Sequence, residues 1–177
     1  MPMWHGYGTV LRGWVVAQEG HASNGAALVR QGIGELDALG TRFHRSHHLG
    51  ILAALHAELG DPAAGLEVLE QARAEVERTE VGFALAELNR IEGELRTLAG
   101  APDAAVEACF AEALAVARRQ EARSFELRAA TSLARLRRRQ GRWREARDVL
   151  APVYGWFTEG FDTPDLRDAR DLLASLA

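Results

Sequence analysis

His44, His47 and His48, with His56 two turns further on, are the residues whose spacing could hold a metal ion. His44 and His48 stand four apart, so on a helix their imidazoles share one face, the spacing that chelates zinc or nickel. A third ligand would have to come from further along the chain, for instance Glu58 or Glu87. In the opposing reading His44 and His47 are solvated, and His56 fills a core position of its helix. No acidic motif accompanies the imidazoles, so the second reading is preferred. No cofactor is expected, and His44 and His48 stay as secondary metal candidates only.

Composition removes most other chemistry. All 21 cations of the 177 residues are Arg, because the chain contains no Lys. A phosphate-loop lysine, a Schiff-base lysine and a lysine general base are therefore excluded. Gly6, Gly8 and Gly13 look superficially like a glycine-rich loop, but they lie on an expected helix and follow no strand. Cys109 is the only cysteine, which rules out an internal disulfide and a cysteine-cage metal site. Flanked by Ala108, Phe110 and Ala113, it is expected to be a buried, inert small residue. The N-terminus carries neither a basic region nor a long apolar run, and no stretch approaches the roughly 20 apolar residues of a membrane helix. A non-catalytic, cytoplasmic protein is expected.

Charge is unevenly spread around a net value of −4. Residues 58–94 hold ten acids against three Arg, and residues 118–147 hold eleven Arg against three acids. A basic surface could serve nucleic acid or an acidic partner. The negative total, the spread of Arg over several helix faces and the scarcity of interleaved aromatics argue against nucleic acid. Pairing between neighbouring helices accounts for the same pattern. Aligning Gly100 with Gly141 puts Glu87 level with Arg128 and Glu94 level with Arg135. Exposed pairs of that kind contribute about 0–1 kcal/mol each and serve register more than stability. Arg137, Arg138 and Arg139 read as a solvated helix end.

The elements that position these residues are helices. Leu49, Leu52, Ala53, His56 and Leu59 form one amphipathic stripe; Leu66, Leu69, Ala72 and Val76 form another, as do Leu85, Leu88, Glu92, Leu95 and Leu98. Alternating strand patterns are absent, so the fold class is all-α. Gly20, Gly60, Gly100 and Gly141 each end one helix before another begins, at a period of about 40 residues. The expected pairs are 4–19 with 23–39, 43–59 with 62–78, 81–99 with 103–119, and 122–140 with 142–154. A ninth helix over 163–176 starts at Thr163-Pro164-Asp165, read as N-cap, N1 proline and first-turn acid. Its stripe of Leu166, Ala169, Leu173 and Leu176 reads as a terminal cap. This pattern resembles the tetratricopeptide (TPR) repeat, in which helix–turn–helix units stack side by side. A single TPR-like α-solenoid domain over 1–177 is expected, with four helix pairs and the capping helix. No equivalent cap precedes Trp4, so the array is expected to begin part-way. That leaves Trp4, Val10, Leu11 and Trp14 to self-association through the N-terminal helices or to another domain.

Ala86-Glu87-Leu88-Asn89-Arg90-Ile91-Glu92-Gly93-Glu94-Leu95, the run from Ala115 to Gln120, the run from Glu126 to Leu136 and the segment from Tyr154 to Leu166 carry a further resemblance. They are similar to the C-terminal TPR-like tails of bacterial class III adenylate/guanylate cyclases with an AAA-like ATPase domain. Related tails occur in ATPase-containing transcriptional regulators. The resemblance implies a sensory or scaffold module in signal transduction, whose partner is a protein, a peptide or the parent ATPase. No catalytic residue carries over, since neither cyclase nor phosphate-loop motifs are present. In such stacks the first helix of each pair lines the concave face. The expected lining is Trp14, His47, Ala54, Glu87, Arg90, Glu94, Arg128, Arg135 and Arg138, where Arg could hold a carboxylate bidentately and Trp14 could anchor an apolar side chain. Alternatives are a stand-alone TPR adaptor, a His-based metal protein and a nucleic-acid binder.

Overall fold

A computed structural model describes residues 2–176. Among these residues every regular element is an α-helix, nine in all: α1 Pro2–Gln18, α2 Ala22–Ala38, α3 Arg45–Glu58, α4 Pro62–Thr79, α5 Leu85–Leu98, α6 Asp103–Arg119, α7 Arg123–Arg139, α8 Trp143–Tyr154 and α9 Pro164–Ala174. No strand occurs among them, as the periodicity requires. The chain forms two compact units, one running to Ala84 with residues 98–100, the other comprising Leu85–Thr97 and the residues from Ala101 on.

Left-handed residues end most of the helices, about every twenty positions. Gly20, Gly60, Gly100 and Gly141 have φ of +90°, +71°, +72° and +76°, the conformation expected of them. After them, the N–H groups of His21, Asp61, Ala101 and Arg142 close back onto the carbonyls of Val16, His56, Arg96 and Arg137 at 2.9–3.2 Å, the six-to-one bond of a Schellman ending. Gly40, Glu80 and Glu121 take the same conformation after α2, α4 and α6. Glu80 and Glu121, with φ of 57° and 54°, carry a Cβ where glycine is favoured, at a cost on the order of 1 kcal/mol. Glu80 also corrects one boundary. The helix expected from residue 81 starts at Leu85, because residues 80–84 are spent on the turn.

Smaller corrections follow from side-chain placement. Thr163 stands at the N-cap of α9 with Pro164 and Asp165 in its first turn, as expected, but its hydroxyl donates to the Gly160 carbonyl at 2.7 Å and makes no capping bond. The one side-chain cap found among the described helices is Asp61, which accepts from the Ala64 N–H at 3.1 Å. In α9 the buried stripe runs through Leu166, Ala169, Leu172 and Leu176, with Leu173 only packed beside it. Leu59 and Leu98 lie exposed at helix ends. Cys109 is half-buried rather than buried.

In the first unit α1 and α2 touch backbone to backbone. A methyl carbon on Gly13 would lie 2.7 Å from the Gly25 carbonyl oxygen and from the Val29 nitrogen. One on Gly32 would lie 2.8 Å from the Gly6 carbonyl oxygen. The helices run antiparallel, so Gly6 faces Gly32 and Gly13 faces Gly25, with Val10 and Val29 fully buried between them. Glycines seven apart on each helix of the pair bring every second turn into contact. Gly6 and Gly13 thus serve helix packing, while Gly8 faces open space. In the second unit Phe110, Leu114, Leu127, Leu133, Leu136, Leu150 and Leu166 form one core, and Gly93 gives way to the Phe110 ring.

Candidate interaction face

Within the second unit, α5, α7 and α9 each present polar residues at helical spacing. Glu87, Arg90 and Glu94 lie on α5, Arg128, Ser132 and Arg135 on α7, and Asp165 and Asp168 on α9. Steps of three, four and seven place them on one side of each helix. The Arg90 guanidinium grips Glu87 with two bonds, Nη2 to Oε1 at 2.7 Å and Nε to Oε2 at 3.0 Å. Its Nη1 donates to Glu94. Arg128 spans the three helices, donating from Nε to Asp165 Oδ2 at 2.7 Å and from Nη1 to Glu87 Oε1 at 3.3 Å. Arg135 donates to Asp168, and the Ser132 hydroxyl to Glu94 Oε1 at 3.3 Å.

The face is graded in depth. Glu87 and Arg90 form its floor, with side chains only 11% and 14% exposed. Burial pushes the Glu87 carboxyl up, but Arg90 and Arg128 outweigh it and hold the group below the ordinary carboxylate range. Burial likewise works against the Arg90 charge, and Glu87 and Glu94 reverse it, so Arg90 stays a cation. Arg128, Arg135, Asp165 and Asp168 form the rim and are each roughly two-fifths exposed. Rim pairs exchange partners at little cost, because exposed ion pairs contribute about 0–1 kcal/mol.

The other arginines of the basic stretch are also matched. Arg118 and Arg123 share Glu126, and Arg137 and Arg142 share Glu107. Arg138 donates to the Ser175 hydroxyl at 2.7 Å. Arg137 and Arg138 are therefore not simply a solvated helix end. Only Arg139, Arg144 and Arg147 of that stretch are exposed without an ion-pair partner among the described residues. The register argument holds for Glu87 with Arg128. It fails for Glu94 with Arg135, because Arg90 and Ser132 take Glu94 and Asp168 takes Arg135. The sequence reading missed Asp165, Asp168 and Ser132 as members of this face. Two acids three apart in the first turns of α9 were a usable signal.

Trp14, His47 and Ala54 belong to the first unit. Trp14 is exposed on α1 and Ala54 half-buried on α3. His47 packs on Phe83 with ring centroids 5.8 Å apart. His44 and His48 do share a face, their rings 6.1 Å apart, and other rings pack against them. Tyr7 stands against both, and Phe43 and Phe83 against His44. Among the described residues no third His, Cys, Asp or Glu joins them as a metal cluster. Burial, then the neighbouring His47 and His44, pushes the His48 imidazole down to about 4. His56 is half-buried, and its Nδ1 is enclosed with no hydrogen-bond partner.

No protein-family model and no curated protein matches this sequence. Among solved structures, the nearly identical TPR-like repeats of a Podosopora anserina kinesin light chain superpose with a TM-score of 0.68 at 18% identity, over 99% of this chain and 86% of that one. A single-substitution variant of that protein matches at 17% identity with the same TM-score and coverage. The fold is TPR-like. At this identity the likeness concerns the fold alone. No helix of the described residues is long and apolar enough to cross a membrane.

Proposed function

We propose that this chain is a non-catalytic protein-interaction module, and that it serves as the sensory or scaffold tail of a bacterial nucleotide cyclase–ATPase signalling protein in the cytoplasm. The α5–α7–α9 face takes the partner, a protein or peptide or the parent ATPase in cis. One observation carries the choice of face: half-exposed Arg128 and Arg135 pair with half-exposed Asp165 and Asp168 above a buried Glu87–Arg90 floor. A rigid floor under exchangeable charges suits recognition of a charged segment. We propose self-association through the N-terminal helices as well, on a separate surface.

The test is capture from a native lysate with wild type, the rim double variant Arg135→Ala with Asp168→Ala, whose side chains pair with each other and leave the floor untouched, and the exposed α6 variant Glu112→Ala. The rim variant should lose the partner and the α6 variant should keep it. The reverse result would remove the face. Arg90 is a poor probe, because its truncation disturbs the floor. Reading the adjacent coding sequence tests the parent. A cyclase or a phosphate-loop ATPase in frame or next door supports the tail assignment, and neither being nearby gives the stand-alone adaptor.

A further inference from the structure

A run of packed rings holds α1 against α3 in the first unit. Tyr7 of α1 meets the imidazoles of His48 and His44 near edge-on, with centroids 5.4 and 5.8 Å apart. Phe83 packs on His44 at 5.5 Å and on His47 at 5.8 Å, and Phe43 on His44 at 4.4 Å. His48, buried at the centre, has the His44 and His47 rings 6.1 and 6.2 Å away. Neutral imidazoles suit such packing, since edge-to-face rings bury apolar surface and carry no charge. Three of these rings, unlike the others, are able to take a proton.

A proton turns the packing against itself. Imidazolium ions about 6 Å apart repel, and burial keeps water from screening them. A cation gains something over a ring face, but that attraction does nothing for the repulsion between neighbours. No carboxylate offsets it at His48, where the acting charges are His47 and His44 and both oppose protonation. The acids of the surrounding elements are engaged elsewhere. Glu35 of α2 accepts from Thr9 and Gln31 and stands 3.8 Å from the exposed His5 of α1. Arg45 forks Asp37 of α2, and Arg78 and Arg42 hold Glu75 of α4. Glu80, on the segment that brings in Phe83, is not among the charges acting on His48.

We infer that this cluster is an acid-released latch: proton uptake by its imidazoles frees Tyr7 and uncouples the α1–α2 helix pair from α3. In stacked helix pairs stability is a sum of each pair and its interface with the next, and a pair without its neighbour does not stay folded. Glycine contacts bind α1 to α2, so the two helices detach and open together. His48 binds its proton at about 4 in place and at 6.5 when free. The latch is therefore at full strength above about pH 6.5 and weakens as pH falls to 4. Between pH 7.5 and 5 those two values make opening about 30-fold more frequent. The latch does not rest on the α5–α7–α9 face.

The experiment is hydrogen exchange of the full chain between about pH 7.5 and 5, corrected for the intrinsic rate at each pH. Amides of α1 and α2 should lose about 30-fold in protection, while α4 and the second unit hold theirs. His48→Phe should abolish that loss, and His48→Gln keeps the test open if the larger ring does not fit. His5→Gln and His21→Gln, exposed imidazoles of the same helix pair, should leave it unchanged. Protection that falls equally in α4 and α1, or stays level in both, overturns the inference. So does a loss that survives both His48 variants or vanishes with His5→Gln or His21→Gln.

Discussion

Helices α1 and α2 meet through glycines, whereas α5, α7 and α9 meet through arginines and acids. In the first case the backbones themselves touch, and Val10 and Val29 fill the remaining space. In the second, long side chains span the gap, and Arg128 alone reaches two helices besides its own. The first contact rests on dispersion and shape, so it tolerates salt and fails on added volume. The second rests on charge matched within a partly dry face, so it tolerates a change of shape at the rim and fails when one partner is removed. The same repeat fold therefore carries one region specified by the absence of side chains and another specified by long ones. The second carries half-exposed charged groups at its rim.

The largest expected effect breaks the charged region. Arg90→Ala leaves Glu87 and Glu94 without their main partner, and removing one member of a buried pair costs about 3 kcal/mol or more. Urea unfolding should show that loss, and a cost below about 1 kcal/mol would make the floor no different from a surface pair.

The next effect breaks the glycine region. Gly13→Ala forces the backbones of α1 and α2 apart, at about 1–3 kcal/mol. Gly34→Ala on the open side of α2, where a methyl carbon meets nothing within 4 Å, should instead gain up to about 1 kcal/mol from helix propensity. Two melting curves that shift in the same direction would refute a steric role for Gly13.

A further effect separates the regions by pH. His48 in the first unit binds its proton at about 4 against an ordinary 6.5. The unfolded chain is protonated first, so that unit loses stability as pH falls from about 6.5 to 4. Glu87 in the second unit is held below the ordinary carboxylate range. Its contribution is complete above the unfolded value and is lost only as pH falls through the depressed folded one. Urea midpoints read from backbone amide signals of each unit should therefore decline first in the first unit. His48→Phe should flatten that decline, and an unaltered slope would show that another group is titrating.

Much of the fold was legible in the sequence, and less of the candidate face. The stripes through Leu49, Leu52 and Ala53, and through Leu69, Ala72 and Val76, required amphipathic helices, and all six residues are buried. Gly20, Gly60, Gly100 and Gly141 marked turns because few other residues take a left-handed φ cheaply. Glu80 and Glu121 take that conformation with no compositional sign, yet the apolar stripes alone placed helix ends near 78 and 119, and α4 and α6 end at Thr79 and Arg119. The seven-residue glycine spacing of α1 and α2 was visible, but its meaning lies between two helices.

Spacing along the chain dictated the helices, their period and the side of each that must be covered. Those depend on residues a few positions apart, which the chain holds close whatever else it does. Packing between helices settled the rest: that Asp168 and not Glu94 takes Arg135, that Tyr7 and Phe83 pack against His44, and that Gly13 meets Gly25. Partners across helices are set by which surfaces fill space together, a competition among many residues that no local pattern records.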